Sequence, residues 1–168
     1  MLQRLLSEGP ASDAAERLAL FGQFIGLWDL EWHGNDHSGS AIIVPGELSF
    51  GWILEGTAIQ DVWRVPLDPA DRPRMRAFHG TTIRFYDQRI DAWRSTWIDP
   101  LNGRVRRFIG KPQNGAIVLE GIDDDPMERW TFREITSDRF VWEGESSLNG
   151  GQTWILEDRM YARRREVH

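Results

Sequence analysis

Trp28, Leu30 and Trp32 alternate with Asp29, Glu31 and His33, and this two-residue rhythm governs most of the chain after them. Successive side chains of a strand point to opposite faces, so such a run presents one apolar face and one polar face. Further runs occupy about 40–53, 57–65, 79–87, 90–98, 103–110, 115–121, 128–136, 139–147 and 152–163, roughly ten strands in all. Turn-forming residues separate them: Asn35-Asp36, Asp87-Gln88, Asn102-Gly103, Asn114-Gly115, Ser137-Asp138 and Asn149-Gly150-Gly151. Pro66 to Pro73 forms the widest gap and reads as an exposed loop. Only residues 12–25 keep a helical spacing. Ser12 fits as the N-cap, Asp13 and Glu16 suit the positive end, Leu18, Phe21 and Ile25 form an apolar stripe, and Gly26 stops it.

Ten antiparallel strands after one short helix predict an all-β, up-and-down barrel, because closure removes every unpaired edge. A two-sheet sandwich is the alternative. The last strand, Trp154 to Arg163, argues against folds that need a long C-terminal helix as a floor. No linker or repeat divides the chain, so residues 1–168 read as a single domain, with the helix at about 12–25 and the barrel at about 27–163.

The bulk chemistry excludes several functions. A net charge of −6 speaks against nucleic acid, which needs a basic face. Of the 20 basic residues only Lys111 is not arginine. Zero cysteine removes disulfides, thiolate catalysis and Cys-ligated metal sites together. No apolar stretch approaches the length of a membrane span, and Met1-Leu2-Gln3-Arg4 lacks the plan of a secretory signal, so a cytoplasmic setting is the expectation. The loop His33-Gly34-Asn35-Asp36-His37 is a poor metal template without a third ligand such as His79. Beyond that loop the histidines are His79, which begins a strand, and His168, the last residue. Neither a metal nor another cofactor is expected.

The segment Gly26-Leu27-Trp28, at the junction of helix and first strand, resembles the opening Gly-x-Trp of the calycin group: lipocalins, fatty-acid-binding proteins and nitrobindin-like barrels. The resemblance implies that Trp28 plugs one barrel end, with Arg163 or Arg164 of the last strand stacked on it. More closely, Leu54-Glu55-Gly56, Gln60-Asp61-Val62-Trp63, Arg84-Phe85-Tyr86-Asp87 and Trp93 to Asp99 look like a lipocalin-like bacterial family of unknown function. It implies a fold and carries over no catalytic residue. Arg84-x-Tyr86 and Arg159-x-Tyr161 each resemble the Arg-x-Tyr pair with which fatty-acid-binding proteins hold a carboxylate. Strand parity turns Arg159 and Tyr161 outward if Trp154, Leu156, Met160 and Ala162 form the inner face. Ser147 to Trp154 is similar to a sialidase Asp-box, but one copy makes a hairpin rather than a propeller.

These readings place Trp32, Trp63, Trp97 and Trp142 around a cavity, with Asp61 and Arg84 as its polar contacts. Asp61 shares parity with Ile59 and Trp63, which makes it the best candidate for an acid or base; a structural tie to a neighbouring Arg or Trp N–H is the plainer role. Glu143, Glu145 and the cluster Arg104, Arg106 and Arg107 read as solvent-facing. The expected function is binding of a small, largely apolar or aromatic molecule, with an acid group conceivable. The rival is a cofactor-free cyclase or isomerase in the same cavity, and a third reading is a barrel that only binds partners. The sequence leaves the oligomeric state open, a homodimer included.

Overall fold

In the computed structural model, which describes residues 5–12, 15–123 and 126–166, a helix α1 (Ala15–Gly22) leads into ten strands. They are β1 (Gly26–Asn35), β2 (Ala41–Ile53), β3 (Ala58–Val65), β4 (Phe78–Asp87), β5 (Ala92–Asp99), β6 (Arg104–Gln113), β7 (Ala116–Gly121), β8 (Met127–Arg133), β9 (Arg139–Ser147) and β10 (Ile155–Arg164). Each pairs antiparallel with its sequence neighbours, and β1 pairs with β10 to close the barrel. The expected up-and-down barrel is therefore the observed one, and the sandwich is ruled out.

The turns follow their chemistry. Asn114 and Gly115 both take positive φ (52° and 79°), as a tight hairpin twisted with its strands requires. In the hairpin between β9 and β10, Ser147 Oγ accepts from Gly151 N and Asn149 Oδ1 accepts from Thr153 N, so the Asp-box-like stretch is a tied turn. The proline-rich segment after β3 is mostly exposed, but Met75 is buried and fastens it over one barrel end.

The helix is shorter than 12–25, and Asp13 lies outside the described residues. It ends at Gly22, where the indole of Trp52 fills the space a side chain would take; a Cβ there would lie 2.8 Å from Trp52 Cζ2. Residues 23–25 then turn tightly, and Gly26 opens β1 at φ 126°. This geometry drives Phe21 and Phe24 into the barrel end, against Trp93, Phe132, Phe140 and Phe50. Burying each such ring stabilises the fold by about 1.5–3 kcal/mol. Trp28 packs edge-on against Phe140 and donates its Nε1–H to the Phe24 carbonyl at 2.7 Å. Arg164 covers its other face, 4.2 Å from the ring centre, so the last strand does supply the expected stacking arginine.

One strand face differs from the alternation. In β10, Leu156 pairs with Glu145 and Asp158 pairs with Gly144, leaving Glu157 as an extra residue. This bulge reverses the parity. Met160 and Ala162 face inward as expected, but Leu156 is exposed, Trp154 lies outside beneath the guanidinium of Arg129, and Asp158 is buried instead.

Candidate functional site

Away from the helix plug, the barrel interior is lined with indoles lying against its wall. Glycines make room for them. A Cβ on Gly34 would lie 2.2 Å from Trp32 Cζ2, one on Gly80 2.5 Å from Trp97 Cη2, and one on Gly144 2.7 Å from Trp142 Cη2. In β1 and β9 the glycine comes two residues after the tryptophan, on the same strand face, so the indole lies along its own strand. Four indoles then meet in a chain: Trp63 to Trp142 at 5.5 Å, Trp142 to Trp130 at 5.4 Å and Trp130 to Trp97 at 5.9 Å between ring centres.

These four rings, with Phe78 and Met160, wall a cavity of about 50 Å³ whose rim carries Arg76, Asp99, Arg104 and Asp158. Outside it, a groove of about 350 Å³ runs over Trp32, Asn35, Leu156 and Glu157. Arg76 and Asp158 line both spaces and stand between them. Arg76 Nη2 donates to Asp158 Oδ2 at 3.0 Å, and Trp32 Nε1 donates to Asp158 Oδ1 at 3.0 Å. Burial pushes the Asp158 carboxyl above its ordinary range, with Arg76 pulling the other way. Glu128 accepts from both Arg104 and Arg106, and Asp99 accepts from Leu101 N, Asn102 N and Asn102 Nδ2. Trp142 Nε1 is buried without a hydrogen-bond partner among the described residues.

Asp61 and Arg84 lie elsewhere. Asp61 accepts from Trp63 Nε1 at 2.8 Å, from Thr82 N at 3.0 Å and from Arg84 Nη2. The Arg84 guanidinium sits 4.5 Å from the ring centre of Phe21, with Phe50 and Phe132 also facing it. Both side chains are sealed from solvent, and neither lines the cavity. Burial pushes Asp61 up and Arg84 down, while each charge partly restores the other. The pair ties the plug to the wall, and the polar groups that line the cavity are instead Arg76, Arg104, Asp99 and Asp158.

The other sequence candidates divide cleanly. Trp63, Trp97 and Trp142 line the cavity, and Trp32 lines the groove outside it. Arg84 and Tyr86 do not converge on one carboxylate, since Tyr86 donates to Asp91 instead. Arg159 points outward to Glu143 at 2.7 Å, and Glu143 and Glu145 are ion-paired on the outer face with Arg133 and Arg129. Arg107 is exposed, but Arg104 turns to the cavity rim, contrary to its reading as a solvent-facing residue. His33 pairs with Glu31, and among the described residues no group of three or more His, Asp or Glu is placed to hold a metal. His168 lies outside the described residues. Trp130 and Phe78 were legible as strand aromatics; Arg76, on a loop, gave no signal.

No protein-family model matches the chain. No curated protein matches it either. Among solved structures it is similar to an S-type phycobiliprotein lyase, CPES, from Guillardia theta, with TM-score 0.58 and 10% identity over 89% of this chain and 93% of that one. It is also similar to Rv2717c from M. tuberculosis, with TM-score 0.61 and 10% identity over 94% of this chain and 99% of that one. Both are ten-stranded barrels of the calycin, or lipocalin-like, fold. At that identity the likeness speaks for the fold alone, and the fold of this chain is of that kind.

Proposed function

We propose that the protein binds a small, largely apolar or aromatic molecule at the barrel end opposite the helix plug. One observation carries this: four indoles and Phe78 converge on a cavity whose rim holds two arginines and two carboxylates. Apolar walls with a few placed polar groups are the usual form of a small-molecule site. In the closed arrangement the cavity, about 50 Å³, is smaller than the roughly 150 Å³ that takes benzene. Parting Arg76 from Asp158 joins it to the groove, giving a space in the range of about 300–1,000 Å³ typical of small-molecule pockets. The similarity to a phycobiliprotein lyase is in keeping with this reading.

An enzymatic reading, a cofactor-free isomerase or cyclase, draws support from Asp158 rather than Asp61. Asp158 lines the cavity, and burial raises its carboxyl toward the range of a working acid or base. Loss of turnover with binding preserved in Asp158→Asn is the outcome that reading requires.

Native mass spectrometry of protein purified from its own host tests the binding proposal. An added mass released on denaturation is expected. An unliganded mass, together with no change in tryptophan emission across a library of aromatic compounds, would overturn it.

A further inference from the structure

The hydrogen-bonding inventory of the cavity is unbalanced. Each carboxylate at the rim already has protein donors: Asp158 takes Trp32 and Arg76, and Asp99 takes a turn of its own chain, while Glu128, outside the lining, takes Arg104 and Arg106. The donors are less fully matched. Trp142 Nε1 is buried and unmatched among the described residues. Among the described residues Arg76 donates to Asp158 alone and Arg104 to Glu128 alone, although a guanidinium carries five N–H groups. An unmatched buried donor costs about 1–3 kcal/mol, so a ligand that supplies acceptors gains most from this site.

Resting on the binding proposal above, we propose that the ligand is a planar organic acid. Its acid group is held by Arg76 and Arg104, its ring lies in the space that opens toward the groove when Arg76 parts from Asp158, with Trp63, Trp97 and Trp130 at its inner end, and a second acceptor on the ring meets Trp142 Nε1. Arg76 changes partner on binding, from Asp158 to the ligand. The residue that closes the rim therefore also recognises the charge. A cation fits worse, because the carboxylates facing it are already engaged and the arginines repel it.

Calorimetric titration with three compounds of one shape separates the possibilities: 3-hydroxy-2-naphthoate, its amide, and the matching naphthylmethylammonium. The acid is expected to bind at least ten-fold more tightly than the amide, and the ammonium least. Arg76→Gln, on an exposed loop, should weaken the acid ten-fold or more and leave the amide unchanged. Asp158→Asn removes the competing anion and should tighten the acid. Trp142→Phe should weaken both hydroxylated compounds several-fold. An amide or ammonium that equals the acid, or an acid indifferent to Arg76→Gln, overturns the charge assignment while leaving the binding proposal standing. Failure of all three compounds to bind overturns the planar-acid assignment, while the native mass and library measurements above decide the binding proposal separately.

Discussion

Arg164 stacks on Trp28 at 4.2 Å while donating to three backbone carbonyls: Ile25 through Nη1 at 2.6 Å, Gln23 through Nη2 at 2.7 Å and Ser137 through Nε at 2.6 Å. One side chain thus joins the helix exit, the first and last strands and the turn before β9. A planar fork reaches several acceptors at once, and an ammonium does not. Arg164→Lys is expected to lose about 1–2 kcal/mol and Arg164→Ala about 2–4 kcal/mol of folding free energy. Urea denaturation measures both; equal stability of the lysine variant would contradict the fork argument.

Asp61 and Arg84 predict a non-additive pair. Asp61→Asn leaves a guanidinium buried with no counter-charge, and a broken buried pair typically costs about 3–5 kcal/mol. Arg84→Met costs a similar amount by stranding the carboxylate. The double variant Asp61→Leu with Arg84→Met removes both charges and should recover most of the loss. Thermal unfolding of the parent, Asp61→Leu, Arg84→Met and the double variant gives the cycle, and simple addition of the two single losses would count against a mutually dependent pair.

Asp158 predicts a pH dependence of known sign. Its folded carboxyl titrates above the ordinary value of 3.8, burial being the main cause and Arg76 opposing it. The folded protein then holds a proton that the unfolded chain has released. This contribution to stability is complete below about 3.8 and is lost as pH rises through the raised value. Asp158→Asn keeps an acceptor for Trp32 and removes the buried charge. Its melting temperature should exceed that of the parent at pH 7, and the gap should close on acidification. A gap that widens toward low pH would reverse the sign.

Gly144 sits where the ring of Trp142 would meet any added Cβ, at 2.7 Å. Gly144→Ala should swing the indole into the lumen and abolish binding at a modest cost of about 1–3 kcal/mol in stability. Gly80→Ala is a harsher change, since its Cβ also meets the backbone oxygen of Ile98 at 2.6 Å. It should lower the yield of folded protein. Ligand titration of the folded fraction distinguishes the two effects.

The architecture was legible because its signals are local. Trp28, Leu30 and Trp32 declare a strand without knowledge of its neighbours, and Asn114-Gly115 declares its turn. The site was only half legible because it depends on register. Asp61 and Arg84 are both inward residues, as parity implies, but Asp61 pairs across from Thr82 and Ile59 from Arg84, and that offset lets the two charges meet. Sequence reasoning offered them to a ligand; geometry gives them to each other. Asp158 shares parity with the inward Met160 and Ala162 and so was readable as an inward carboxylate; the bulge at Glu157 reverses only the side chains before it, Leu156 and Trp154. Arg76 acts from a loop, where no periodicity exists to read.

The seam between β1 and β10 has a consequence for how the chain is made. Trp28 faces Arg164 across it, so one flank of β1 finds its partner only after nine further strands have been laid down. Until then the emerging polypeptide carries an open strand flank beside a stretch rich in large aromatics, the kind of surface that invites aggregation. During synthesis on the ribosome, the most vulnerable interval should be the last one, just before β10 clears the exit tunnel and the ring can shut.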